Sequence, residues 1–98
     1  MKNIIADLNK AFENRIRLGI MSILMVHEEV EFNFIKETLD LTDGNLASHI
    51  KALEKIEYIS MKKEFVNRKP RTTYTASMIG KQAFADHLQA LEKLIKGE

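Results

Sequence analysis

Two sets of apolar residues recur at helical spacing in the first third of the chain. The first set is Ile4, Ile5, Leu8 and Phe12, and the second is Ile16, Ile20, Ile23 and Leu24. The pattern predicts helices over about Asn3–Lys10 and Glu13–His27, with a bend near Phe12. Arg15 and Arg17 are expected to face solvent, although Arg15 could instead reach DNA or a partner helix.

The next stretch predicts a short strand followed by a short helix. Between Glu28 and Asn33 the chain is acidic, and Val30 alternates with Phe32 as in a strand that could pair with a later hairpin. Asn33 is a residue type that caps helices, so a helix is predicted to follow it. Its buried residues are expected to be Phe34, Ile35 and Leu39.

A second helix is predicted from the N-cap Thr42 to about Glu57. One stripe of this helix is apolar and is expected to face the core; it consists of Leu46, Ile50, Leu53 and Ile56. The opposite face is polar or small and consists of Asp43, Asn45, Ser48, His49, Lys51, Ala52 and Lys55. The polar face is free for a partner outside the domain.

Two strand-like runs come next, Ile59–Val66 and Arg71–Ala76. They are separated by a basic tip in which Pro70 can sit without loss of a sheet hydrogen bond. Ser77 is then expected to cap a last helix that ends near Lys96, with Gly80 weakening its first turn. That helix carries a heptad-like stripe of Phe84, Leu88, Leu91 and Ile95.

This order of elements predicts a mainly α fold with a small β-sheet, an α+β winged helix-turn-helix in one domain over residues 1–98. The helix-turn-helix spans about 34–57, the hairpin wing about 59–76 and the C-terminal helix about 77–96. The terminal helices are expected to pair two copies of the chain, although the C-terminal stripe could instead pack within one chain. The predicted dimer interface is Ile4, Ile5, Leu8, Phe12, Phe84, Leu88, Leu91 and Ile95.

Charge is distributed unevenly, although the net charge is only +1. Residues 1–43 hold five Lys and Arg against eight Asp and Glu, which gives −3. Residues 44–75 hold seven against three, which gives +4, and residues 76–98 hold three of each. The positive excess therefore coincides with the second helix and the wing, as expected of a protein that binds nucleic acid.

Composition argues against several other classes. The chain has no cysteine, and its three histidines form no HxH or HxxxH pair, so no metal site and no cofactor are expected. No nucleophile–base pair or phosphate loop indicates an enzyme. No apolar run reaches the ~18 residues that span a bilayer. Acidic residues near the N-terminus do not fit a signal peptide, so a cytoplasmic protein is expected.

The segment LTDGNLASHIKALEKIEYI, residues 41–59, resembles the recognition-helix region of small winged-helix transcription regulators of the MarR/ArsR type. The residues that carry the resemblance are Leu41, Thr42, Gly44, Asn45, Leu46, His49, Ile50, Leu53, Glu54, Tyr58 and Ile59, and in the wing Arg68, Pro70, Arg71, Thr72 and Tyr74. Glu57 departs from the family, which usually has Gly there. Since that Gly ends the helix in a left-handed conformation, a longer or differently turned helix end is expected here.

The resemblance implies a homodimer that binds pseudo-palindromic double-stranded DNA, with the recognition helix in the major groove and the wing on the minor groove or backbone. The residues expected to contact DNA are Thr42, Gly44, Asn45, Ser48, His49, Lys51, Lys55, Lys62, Arg68, Lys69, Arg71 and Thr72. His49 has an alternative role, packing its ring against the turn. Two alternatives stay open: a winged-helix module that binds other proteins in a larger complex, and a regulator that also holds a small apolar effector between its terminal helices.

Overall fold

The computed structural model describes residues 3–97 and shows an α+β winged helix. After one 3₁₀ turn, Lys10–Phe12, the elements are α1 (Arg15–Val26), β1 (Val30–Glu31), α2 (Phe32–Leu39), α3 (Asp43–Lys55), β2 (Ile59–Val66), β3 (Lys69–Ala76) and α4 (Met78–Lys96). The predicted fold class is confirmed. The two helices α2 and α3 form the helix-turn-helix, and β2 and β3 form the wing.

Helix α3 begins where the sequence predicts. Thr42 is its N-cap, and the Thr42 side chain accepts a hydrogen bond from the backbone N–H of Asn45 at 3.2 Å. The stripe of Leu46, Ile50 and Leu53 is buried in the core. Ile56, predicted to extend this stripe, is exposed because the helix has already ended at Lys55.

The three strands form an antiparallel sheet in the order β1-β3-β2. Strand β1 pairs with the wing as predicted, with Val30 opposite Tyr74. The wing turns through Asn67 and Arg68, whose φ angles of 53° and 66° are both left-handed. Such a two-residue turn matches the strand twist, so β3 starts at Lys69 and Pro70 lies within it, opposite Phe65, rather than in the tip.

The N-terminal segment is not the predicted helix. Residues 3–9 form turns, and only one 3₁₀ turn follows. Asn9 caps that turn through a hydrogen bond from Ala11 N. Asn14 then caps α1 by accepting from the N–H groups of Ile16 and Arg17. Two asparagine caps in six residues interrupt the helical pattern that the apolar spacing indicated.

Helix α2 also begins earlier than predicted. Its N-cap is Glu31, and Asn33 lies inside the first turn rather than capping it. Ile35 is fully buried, whereas Phe34 is exposed and packs edge-on against the His27 ring at a centroid distance of 5.3 Å. The prediction that Phe34 is buried is therefore wrong.

An aromatic cluster joins the N-terminal segment to α4. The Phe12 ring stacks on Tyr58 at 5.5 Å and meets Phe84 edge-on at 5.1 Å. Beside it, the buried His87 accepts a hydrogen bond at Nδ1 from the backbone N–H of Asn9 at 3.0 Å. Phe12 and Phe84, both expected at a dimer interface, are thus part of the core of a single chain.

The end of α3 adopts the left-handed turn despite the absence of glycine. Glu57 has a φ of 64°, and Tyr58 N donates to Leu53 O at 3.0 Å while Glu57 N donates to Glu54 O at 2.9 Å. This pair of bonds is the Schellman motif. The expectation of a longer or differently turned helix end is therefore wrong, and Glu57 bears the steric cost of the conformation.

The same turn is bonded to the start of α4. Ser77 N donates to Tyr58 O at 2.9 Å, and Ser77 Oγ donates to Glu57 O at 2.6 Å. Ser77 Oγ also accepts from Gly80 N, which confirms Ser77 as the cap. A Cβ on Gly80 would lie 2.1 Å from Tyr58 O, so glycine is required there for close approach of the two backbones.

Candidate nucleic-acid interface

One face of α3 is exposed along its whole length. At 100° per residue, Gly44, Ser48, Lys51 and Lys55 fall within a sector about 60° wide. All four are exposed, and Asn45 and Ala52 flank them on one side. The predicted polar face is therefore a continuous surface, with small and amide side chains in the first turns and lysines farther along.

At Gly44 the first turn of this face has no side chain. A Cβ built at Gly44 meets no atom within 4 Å, whereas glycine at position 80 is enforced by packing. Glycine inside a helix costs about 0.5–1 kcal/mol relative to alanine. Because nothing within the described chain requires glycine at this position, its absence of a side chain favours close approach by an external surface.

His49 lies to the side of this face. Its Nδ1 is 3.2 Å from Nη1 of Arg17 in α1, and Arg17 Nε also donates to Ala11 O at 2.7 Å. Burial, followed by the charge of Arg17, lowers the pKa of His49. The histidine therefore packs toward α1, and the expectation that Arg17 faces solvent is wrong.

The acidic residue at the start of α3 is neutralised. Asp43 Oδ1 forms an ion pair with Lys36 Nζ of α2 at 2.8 Å. This ion pair joins the two helices of the helix-turn-helix, and Asp43 also lies at the positive end of the α3 dipole. Its charge consequently detracts little from the positive character of the exposed face.

The wing tip carries cations that the fold does not neutralise. Among residues 3–97, no carboxylate oxygen lies within 4 Å of the charged groups of Arg68, Lys69 or Lys63. The same is true of Lys51 and Lys55 on α3 within that range. Arg68 moreover occupies a left-handed position that glycine would fill without strain. The tip and the α3 face thus offer unpaired positive charge.

Two predicted DNA-contacting cations are instead held by acidic residues in and next to the sheet. Arg71 Nε donates to Glu31 Oε1 at 2.8 Å, and Lys62 Nζ lies 3.2 Å from Glu29 and 3.5 Å from Glu64. The hydrogen bond and charge of Glu29, with the charge of Glu64, raise the pKa of Lys62. Both cations lie on the sheet face turned away from the helices.

The sequence pattern did not reveal these ion pairs, because they depend on the register between strands. Pairing of β1 with β3 sets Glu31 opposite Thr73, and Lys62 of β2 pairs with Thr73 from the other side. Glu31 is therefore diagonal to Arg71, two residues before Thr73 on β3. The alternation at Val30 and Phe32 indicated a strand but not its register. Thr73 is buried, and Thr72, also predicted to contact DNA, is half-buried on the opposite face.

Tyr74 contributes to packing of the core. It is buried, and burial, followed by the charge of Glu54, raises the pKa of its hydroxyl. Tyr74 lies in the same buried core as Leu46, Ile50 and Leu53, so α3 packs on the side of the sheet that Tyr74 faces. This relationship orients the wing with respect to the exposed face of α3.

Residues 3–97 contain neither a metal-binding cluster nor a membrane-spanning helix. In that range no three His, Asp or Glu side chains are grouped so that they could hold a metal ion. Within the same part of the chain, no helix combines the length and apolar character needed to cross a membrane.

A helix-turn-helix with an exposed second helix and a basic hairpin beside it defines a winged helix of the DNA-binding type. The chain belongs to the winged helix DNA-binding domain family, whose model matches residues 16–95. It is 34% identical over 87 residues to an uncharacterized protein of Methanocaldococcus jannaschii, covering 89% of this chain and 95% of that one.

Solved structures show the same fold. A transcriptional regulator homologue from Pyrococcus horikoshii OT3 superposes with a TM-score of 0.85 at 34% identity, covering 96% of this chain and 91% of that one. Diamide-treated YodB from B. subtilis gives a TM-score of 0.79 at 21% identity, covering 88% and 84%. A putative MarR-family regulator from Porphyromonas gingivalis gives 0.63 at 13% identity, covering 91% and 86%.

Proposed function

We propose that this protein is a transcription regulator that binds a specific double-stranded DNA sequence as a homodimer. Helix α3 enters the major groove, and the wing lies on the adjacent minor groove and backbone. The observation that carries the proposal is the exposed α3 face beside the wing tip, both with lysines or arginines that no acid within residues 3–97 neutralises. A transcription regulator must reach chromosomal DNA, and the expected cytoplasmic location agrees with this requirement.

The α3 face has the two kinds of group that duplex recognition needs. Asn45 and Ser48 can donate to and accept from base edges in the major groove. Lys51 and Lys55, one to two turns farther along, can bind phosphates. Gly44 and the α3 N-terminus allow a phosphate to approach backbone N–H groups. His49 is assigned a positioning role through Arg17 rather than a direct base contact.

The predicted interface residues that lie outside the core support pairing of two copies. Ile4, Ile5 and Leu88 are exposed, and Ile95 is 85% exposed, while Leu8 and Leu91 are half-buried. They lie on the N-terminal segment and α4, the two elements that Phe12 and Phe84 hold together within the chain. A second copy covering this surface would present two recognition helices to half-sites about 34–36 Å apart.

Selection of bound duplexes from a random pool tests specificity and palindromy together. The expected result is an inverted repeat with one half-site per protomer. With roughly four to five phosphate contacts per protomer, the slope of log K against log salt should be about −8. Recovery of no duplex above nonspecific levels at low salt would overturn the proposal and favour a protein-binding module.

Variants then locate the interface. Arg68→Ala with Lys69→Ala should weaken binding and flatten the salt slope by about 2 per protomer, since each cation releases about one counterion. Lys93→Ala on α4 is the matched control and should leave the slope unchanged. Sedimentation at micromolar concentration should show a dimer, and a monomer there would contradict the pairing. Transcription from a template carrying the selected site then reports the regulatory effect.

A further inference from the structure

Phe65 lies on the face of the wing that packs on the helices, but beyond the part that the helices cover. In β2 it shares a face with Ile59 and Met61, and opposite it lies Pro70. Exposure rises along this face from 4% at Ile59 to 43% at Met61 and 78% at Phe65. The helices therefore cover only the first part of the face, and the last part overhangs them and is exposed.

Two cations lie near this exposed aromatic ring in the hairpin. Lys63 precedes it on the same face and Arg68 follows it in the turn, whereas Lys69 lies opposite Val66 on the other face. Phe65, Pro70, Lys63 and Thr72 line a shallow groove of about 330 Å³ together with Glu64 and Arg71, which are both held in ion pairs. An apolar platform bordered by unpaired cations is complementary to a duplex groove, which has phosphates along its walls and apolar sugar faces between them.

We propose that Phe65, backed by Pro70, enters the DNA minor groove beside the major groove that α3 occupies, and packs on the sugars and base edges there. This inference rests on the proposed function, because α3 must bind DNA for the overhanging face to meet it. It assigns a specificity role to the wing. Guanine places its 2-amino group on the minor-groove floor, whereas A·T pairs leave the floor open, so an inserted phenyl ring favours A·T steps.

Inosine provides a sharp test, since it pairs with cytosine like guanine but lacks the 2-amino group. The test uses the full-length protein and the duplex recovered from the random pool, with the step beneath the wing made A·T, G·C or I·C. The wild type should bind the A·T and I·C duplexes about fivefold more tightly than the G·C duplex. Phe65→Ala should bind all three equally and more weakly than the wild type binds A·T, with an unchanged salt slope, because an apolar contact releases no counterion.

Val66→Ala is the matched control, since Val66 is also exposed but lies on the opposite face of the wing. It should keep the wild-type preference. Equal discrimination by the wild type and Phe65→Ala would overturn the inference, as would a Phe65→Ala variant that sediments differently and so reveals a contact between copies. Failure of the wild type to bind any duplex would instead defeat the proposed function itself. Thermal unfolding should be unchanged by either substitution.

Discussion

Arg17 Nη1 and His49 Nδ1 lie 3.2 Å apart and connect α1 to the recognition helix. Arginine can only donate, so His49 must accept at Nδ1 and carry its proton on Nε2. Arg17 also donates to Ala11 O, which fixes the guanidinium in place. The histidine is therefore compatible with this contact only while it is neutral.

This contact predicts a loss of stability in mild acid. The pKa of His49 is lowered from 6.5 by burial and by Arg17, so the unfolded chain binds more protons than the folded chain once pH falls below about 6.5. The stabilisation is present above that pH and is lost as pH falls through the lowered folded-state pKa. Denaturant unfolding from pH 8 to 5 measures it, and His49→Gln should remove its share of the pH dependence. Identical pH profiles for the two proteins would contradict the assignment.

Replacing Glu57 by glycine should stabilise the fold. The left-handed conformation costs a residue with a Cβ about 1–2 kcal/mol, part of which is offset by the greater freedom of glycine in the unfolded chain. A net gain of about 0.5–1 kcal/mol, or a rise in Tm of about 3–6 °C, is expected for Glu57→Gly in calorimetry. Glu57→Ala removes the carboxylate but keeps the Cβ, so it should show no such gain. An equal gain in both would attribute the effect to charge.

Alanine substitutions at Gly44 and Gly80 should change the free energy of unfolding in opposite directions. Gly44→Ala adds a methyl group to open space within a helix and should raise the free energy of unfolding by about 0.5 kcal/mol. Gly80→Ala places Cβ 2.1 Å from Tyr58 O and should lower it by at least about 2 kcal/mol. If the α3 face contacts DNA, the more stable Gly44→Ala protein should nevertheless bind its duplex more weakly. Unaltered affinity would show that the first turn of α3 does not contact DNA.

Neutralising Glu31 should strengthen DNA binding. Its carboxylate holds Arg71 at 2.8 Å, and such exposed pairs stabilise a fold by only about 0–1 kcal/mol. Glu31→Gln frees Arg71 and removes a charge that repels phosphate, so affinity at low salt should rise about two- to fivefold, less at high salt. Glu92→Gln, which breaks the exposed Lys96 pair on α4, is the matched control and should have no effect. Wild-type affinity of the Glu31→Gln protein would show that Arg71 does not contact DNA even when it is released from Glu31.

Local signals were sufficient to predict the central part of the fold. The Thr42 cap and the spacing of Leu46, Ile50 and Leu53 define α3 because capping and core burial act within a few residues. The extent of β2, the Ser77 cap and the pairing of β1 with the wing were likewise predictable from residue patterns. The exposed face of α3 followed from the same helical phase.

Features set by distant contacts were not predictable in this way. The Arg71–Glu31 pair depends on a register between strands 40 residues apart, which alternation cannot define. Glycine is needed at position 80 because the carbonyl of Tyr58 lies too close for a Cβ. The side chain of Arg17 is held by its contact with His49, 32 residues away in the chain. Asn9 and Asn14 gave a local signal, but the apolar spacing outweighed it and led to the wrong N-terminal helix.

The bonds from Ser77 to Glu57 and Tyr58, together with the close approach at Gly80, fix the angle between α3 and α4. In a dimer paired through α4, that joint would transmit the geometry of the pairing surface directly to the recognition helices. The number of base pairs between half-sites would then be set by α4 packing, independently of which bases α3 contacts. Operator spacing and operator sequence could therefore diverge separately among relatives, through substitutions on two different helices.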